Sequence, residues 1–124
     1  MNSSMSSRNK AKGSRFENLL EVWLIAAGYI AQRLARAGKK DVGDLHIRLT
    51  DGTFLVIEAK AAKSMKLPEW LKEAAVEAEN HEEKYGAESY GVVVSKCRGK
   101  GADQAYAIFR LVDLLEFLRL KGLL

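Results

Sequence analysis

The chain has 124 residues, 48% hydrophobic and 29% charged, the balance of one globular domain with a modest core. No apolar run approaches the roughly 20 residues of a membrane span. The single Cys97 excludes a disulfide framework within the chain and suits a reducing, cytoplasmic cell interior. The net charge of +4 is unevenly placed, because Arg8, Lys10, Lys12 and Arg15 all precede the first acid, Glu17, and the remainder is balanced.

Residues 1–12 are polar, Ser-rich and aperiodic, and read as a flexible basic arm without the apolar core of a secretory signal. That leaves 13–124 as one folded domain. Ser14 with Glu17 three residues on has the capping-box spacing. Phe16, Leu19, Leu20, Trp23, Leu24 and Ala27 then predict an amphipathic helix over 15–27, with both Trp23 and the later Trp70 in the core and Gly28 as the stop. Glu17 lies on the border of the apolar stripe, where it either caps the helix or reaches over the edge of a sheet. A strand over 29–34 places Tyr29, Ala31 and Arg33 on one face, and a loop with Arg36, Lys39, Lys40 and Asp41 follows.

Two short strands then flank Thr50-Asp51-Gly52, the second ending in Glu58-Ala59-Lys60. Alternation puts Glu58 and Lys60 on one face with Phe54 and Val56. A two-residue turn would set Asp44 opposite Ala59. A three-residue turn, with Gly52 left-handed in a G1 bulge, instead pairs Leu49 with Thr53, Ile47 with Leu55, Leu45 with Ile57 and Asp44 with Glu58. Burial favours this second register, because it makes one face nearly continuously apolar.

Beyond a basic loop carrying Lys63 and Lys66, Pro68 opens a helix that buries Leu67, Trp70, Leu71, Ala74, Ala75 and Ala78 and runs to about Tyr85. Its acidic face, which includes Glu69, Glu73 and Glu77, should point outward, and His81 continues the apolar stripe as a packed residue. The run over 89–95 lacks alternation and reads as a central strand. A basic, glycine-rich loop with Lys96, Arg98 and Lys100 is no P-loop, since no Gly-Lys-Ser/Thr opens a helix there. A strand over 106–111 and a leucine-rich closing helix complete an α-β-β-β-α-β-β-α order: an α/β fold with a mixed sheet flanked by helices.

Asp44 and Glu58 on one face, with Glu17 approaching from the helix, form an oxygen-rich set suited to a hard divalent ion. The Ala59 carbonyl is an available backbone ligand. Such an ion activates water and neutralises charge on a phosphodiester, and Lys60 beside it would stabilise the developing charge or orient the water. A surface ion pair of Glu58 with Lys60 is the alternative. His46, on the same side as Asp44, reads as a neighbour rather than a ligand.

Asp-x(13)-Glu-x-Lys preceded by a helical Glu resembles the PD-(D/E)XK nuclease superfamily. Lys12-Gly13-Ser14-x-Phe16-Glu17, followed by Gly28-Tyr29-x-Ala31-x-Arg33, looks like the opening of archaeal-type Holliday-junction resolvases. The resemblance covers about residues 12–95. It implies a restriction-endonuclease-like fold and a homodimer that hydrolyses DNA with Mg²⁺ (or Mn²⁺) in recombination and repair. It also implies that Glu17, Asp44 and Glu58 are acidic metal-site residues, Glu17 through water, that Lys60 is the catalytic lysine and that Arg33 lies near the scissile phosphate. Arg15, Arg36, Lys39, Lys40 and Lys63 join Arg33 as expected DNA contacts. Gly43 stands where the pattern has proline, and Asp41 rivals Asp44 for the aspartate role. A nuclease acting on linear or nicked DNA, and a DNA-binding module that no longer cuts, are the alternatives to a junction-selective endonuclease.

Overall fold

In a computed structural model that describes residues 3–35 and 40–124, with side chains from residue 13 onward, the elements are α1 (Ser3–Ala26), β1 (Ile30–Arg33), β2 (Leu45–Arg48), β3 (Phe54–Lys60), α2 (Leu67–Tyr85), β4 (Ser89–Ser95), a 3₁₀ turn (Ala102–Gln104), β5 (Tyr106–Ile108) and α3 (Leu111–Leu120). The expected order is present. One five-stranded sheet runs β1-β2-β3-β4-β5. Its first three strands form an antiparallel meander, β4 lies parallel to β3 from Phe54↔Ser89 to Lys60↔Ser95, and β5 returns antiparallel. The parallel step needs a crossover, and α2 supplies it.

Strand alternation divides the sheet into two packed faces. Ile57, Ala59, Leu45 and Val92 meet Phe16, Leu20 and Leu24 of α1, whereas Val93 meets Trp70 and Ala74 of α2. Glu58 pairs with Val93 in the parallel ladder and therefore lies on the α2 face. That helix sits close because β4 carries glycine where the two meet. A Cβ built at Gly91 would lie 2.5 Å from the Ala74 carbonyl oxygen.

Three expectations are corrected. Helix α1 begins at Ser3, so the segment expected as a flexible arm is helical over most of its length, and Ser14 lies inside the helix rather than capping it. Its Ser, Arg, Asn, Lys and Ala residues each cost only tenths of a kcal/mol in a helix, roughly 0.7 at most, and the lone Gly13 about 1. No proline stops the run. Second, the buried stripe of α1 is the narrow i, i+4 row of Phe16, Leu20 and Leu24; Leu19 and Trp23 are exposed, Trp23 leaning on the Tyr29 ring with centroids 6.5 Å apart. Third, α3 closes nothing. None of its residues is buried. Phe117 against Tyr90 and an ion pair of Lys121 with Asp51 tether it, while Leu111 and Val112 remain 71% and 66% exposed.

Candidate active site

The site is built by the turn. Gly52 donates its N–H to the Leu49 carbonyl at 3.0 Å, and Leu49 donates to Thr53 at 2.8 Å. Gly52 takes a φ of 85°, the left-handed conformation glycine adopts without a Cβ penalty. The strands then pair Arg48↔Phe54, Ile47↔Leu55, His46↔Val56 and Leu45↔Ile57, the three-residue register. Asp44 lies one residue past the last regular pair, where the count sets it against Glu58. Its backbone N–H donates to Ile57 at 2.9 Å, its carbonyl accepts from Leu34 at 2.9 Å, and its Oδ2 accepts from the Ala59 N–H at 2.8 Å. Backbone and side chain alike are thus fixed to the neighbouring strands.

Gly43 explains its own departure from the motif. Its φ is 99°, and a Cβ there would lie 2.5 Å from Val56 Cγ1. Proline, locked near φ −65°, cannot occupy that conformation. Asp41 uses one carboxylate oxygen on the Gly43 N–H at 3.0 Å, closing the loop that delivers Asp44. The Asp44 side chain reaches β3 through its bond from the Ala59 N–H.

The Glu58 side chain is buried beside the Asp44 carboxyl. Burial first, and then Asp44, push the Glu58 proton affinity far above the usual carboxylate range. Two adjoining carboxyls repel unless a proton or a cation lies between them. Lys60 Nζ stands 3.7 Å from Glu58 Oε2 and 3.3 Å from Glu73 Oε2, with the Trp70 ring centroid 5.6 Å away. Burial works to lower the Lys60 pKa, but Glu58 and Glu73 outweigh it and raise it. Lys60 is therefore held in its positively charged form. Glu17 faces Arg33 at 3.5 Å; burial, then Asp44, raise its pKa against the opposing pull of that guanidinium.

Among the described residues, no three His, Cys, Asp or Glu side chains converge tightly enough to hold an ion by themselves. The donor set that fits a cation is smaller: Asp44, Glu58 and a backbone oxygen. The N–H and C=O of one strand residue point the same way, and the Ala59 N–H points at Asp44, so its carbonyl opens toward the same carboxylates. Two carboxylates with a carbonyl and waters suit Mg²⁺, which retains much of its hydration. Glu17, engaged with Arg33, would reach such an ion through water.

Sequence reasoning placed Glu69, Glu73 and Glu77 on the outer side of α2; Glu69 and Glu73 are exposed there, and Glu77 is corrected. Trp70, Ala74, Glu77, Ala78 and His81 form the buried face. Glu77 is 3% exposed, and neither carboxylate oxygen has a hydrogen-bond partner among the described residues. Burial raises its pKa, the neighbouring Glu58 carboxyl opposes that rise, and Asp41, Asp44 and Glu73 add to it. The readable signal was helical spacing, since position 77 follows Ala74 by three and precedes His81 by four.

The basic residues divide into groups. Arg15, Lys63, Lys96 and Arg98 line one groove of about 590 Å³ with Phe16 and Met65, between α1 and the loops that follow β3 and β4. Lys96 and Arg98 were not among the expected DNA contacts; only the fold brings them beside Arg15 and Lys63. Arg33 lies with Glu17 and Ser14, Lys40 pairs with Glu83 at 3.0 Å, and Arg36 and Lys39 fall outside the described residues.

Next to the site, α2 is tied to the hairpin by two histidines. His46 Nδ1 and His81 Nε2 share a hydrogen bond of 2.7 Å, and His81 Nδ1 bonds the Ser89 hydroxyl at 2.7 Å, among the rings of Phe54 and Tyr85. Both are buried, and the packing expected of His81 is observed. Burial lowers both pKa values, that of His81 to about 4. In the unfolded chain each histidine takes a proton near pH 6.5, whereas the folded pair resists it. The pair's stability contribution is therefore complete above about pH 6.5 and is lost as pH falls toward 4, on the order of 3 kcal/mol for His81. The raised carboxyls act with opposite sign, so the informative quantity is the difference between wild type and His81→Gln. Urea unfolding from pH 7.5 to 4.5 should show wild type losing stability faster than the variant. Parallel curves would contradict a neutral histidine pair.

No protein-family model matches the chain, and no curated protein does. Among solved structures, the chain is similar to Hjc, a Holliday junction resolvase from the archaeal hyperthermophile Archaeoglobus fulgidus. The identity is 23% and the TM-score 0.44, over 77% of this chain and 89% of that one.

Proposed function

We propose that the chain is a metal-dependent endodeoxyribonuclease that cuts branched DNA, with Asp44, Glu58 and Lys60 at its centre. The observation that carries this reading is the placement of the Asp44 and Glu58 carboxyls side by side next to a lysine, at the end of a strand pair whose register one bulge decides. Asp44, Glu58 and the Ala59 carbonyl would hold Mg²⁺ or Mn²⁺. The bound ion supplies a more acidic water and neutralises charge on the phosphate. Lys60 adds a fixed positive charge to the attacked phosphodiester and orients the attacking water. Arg33, drawn toward the site by Glu17, is placed to meet the phosphate next to the scissile one.

DNA would approach along the groove that holds Arg15, Lys63, Lys96 and Arg98, whose lining includes Ala61, the residue that follows Lys60. Each phosphate contact contributes roughly 0.9 to the slope of log affinity against log salt. The double variant Lys96→Ala/Arg98→Ala should therefore flatten that slope by about 2. An unchanged slope would remove both residues from the DNA surface. Trp70 is buried, so the exposed leucines of α3 are the better surface for a two-fold dimer, which would match two symmetric cuts in a four-way junction.

The test is Mg²⁺-dependent cleavage of four-way junctions, flaps and linear duplex of matched sequence. Paired symmetric nicks confined to junctions are the expected result. Degradation of linear duplex would assign a nuclease of broader substrate range, and binding without cutting would assign a DNA-binding module.

A further inference from the structure

Among the carboxylates near Glu58, Glu77 is the one that fold stability does not account for. It is 3% exposed, and both oxygens lack a hydrogen-bond partner among the described residues. It projects from the α2 face that packs on the same side of the sheet as Glu58. The Glu58 carboxyl adjoins it and acts on it favourably, whereas the carboxylates of Asp41, Asp44 and Glu73 act in the unfavourable sense. A buried acceptor with no donor costs stability, and a glutamine or leucine at that position would not carry that cost. Glu73 shows the ordinary alternative: one helical turn away, half-exposed, it is paired with Lys60 at 3.3 Å. Among the described residues, no cation pairs with Glu77 in this way.

From this we infer that Glu77 is a positioning carboxylate of the cation site, acting on the ion through the ion's own waters. The inference rests on the reading of Asp44 and Glu58 as ion ligands and extends the site from the strands to α2. An ion that keeps several waters needs acceptors for their outward hydrogens, and a carboxylate set just beyond the ligands provides them. This also gives a role to a helix position that would otherwise only weaken the core.

The experiment is calorimetric titration of the full chain with Mn²⁺, without DNA, for wild type, Glu58→Gln and Glu77→Gln, alongside thermal unfolding of each without cation. Wild type should bind Mn²⁺ and Glu58→Gln should not. Glu77→Gln should bind about 10- to 100-fold more weakly, with a cation-free melting temperature equal to or above that of wild type. Glu77→Asp, which keeps the charge, should recover part of the affinity and serves in its place if the glutamine variant does not fold. Wild-type affinity in Glu77→Gln overturns the inference alone. A fall in cation-free melting temperature that accompanies weaker binding also overturns it, by assigning Glu77 a structural role. If wild type itself binds no Mn²⁺, the ion-site reading falls and the inference with it.

Discussion

Glu58→Gln should abolish Mg²⁺-dependent DNA cleavage, by on the order of 10³-fold or more, while making the protein more stable. The first half follows from position. Glu58 stands beside Asp44 on one side and Lys60, at 3.7 Å, on the other, so the amide removes the charge common to both halves of the site. The second half follows from the sign of the pKa shift. Burial and Asp44 raise Glu58, so the folded state holds its proton more tightly than the unfolded chain does. Such a group favours folding only below about pH 4.5 and opposes it increasingly as pH rises toward its folded value. A neutral isostere removes that opposition, on the order of 1–3 kcal/mol at pH 7. Thermal unfolding at pH 7 without cation, together with a junction-cleavage assay, measures both halves. A variant that is less stable and still cuts would contradict the electrostatic account of the site.

Gly91→Val should be the most damaging single change to the fold. The added Cβ would lie 2.5 Å from the Ala74 carbonyl oxygen and 3.0 Å from its carbon, and both are backbone atoms of a helix that cannot shift singly. Overpacking against backbone costs about 3 kcal/mol or more. Helix α2 has to lift from the sheet to relieve it. Lifting it withdraws Glu73 from Lys60 and Glu77 from the site, so any folded fraction should also bind cations poorly. Gly91→Ala, with the same Cβ, is the milder version, and urea denaturation compares the two. Stability of the alanine variant within about 0.5 kcal/mol of wild type would show that α2 is not seated as closely as the contact implies.

The hairpin was legible in the sequence because three local signals agree on it. Apolar parity, a glycine able to take positive φ, and the alignment of two acids all require the same turn, and the bulge at Gly52 is present. The element order was legible for a similar reason, since β3 and β4 have the bounds their apolar runs imply. Legibility ended where tertiary contacts decide. Glu77 reads as solvent-facing by residue type and as buried by helical phase, and only the packing of α2 on β3 shows that phase prevails. Trp23 shows the reverse: an aromatic in phase with the stripe is left half-exposed because α1 presses only the Phe16, Leu20 and Leu24 row onto the sheet. Lys96 and Arg98 meet Arg15 across more than 80 positions, and no local pattern encodes such a meeting. The cap at Ser14 failed because a capping sequence marks a helix start only where the preceding residues decline to be helical, and these do not.

The central claim is that the carboxyls of Asp44 and Glu58 share one divalent cation. It is tested most directly by anomalous diffraction from crystals of the wild-type protein soaked in Mn²⁺. A single strong peak at roughly 2.1–2.3 Å from an oxygen of each carboxylate and from the Ala59 carbonyl is the expected result. A peak elsewhere, or none at this position in a protein that cuts DNA with Mn²⁺, would contradict it.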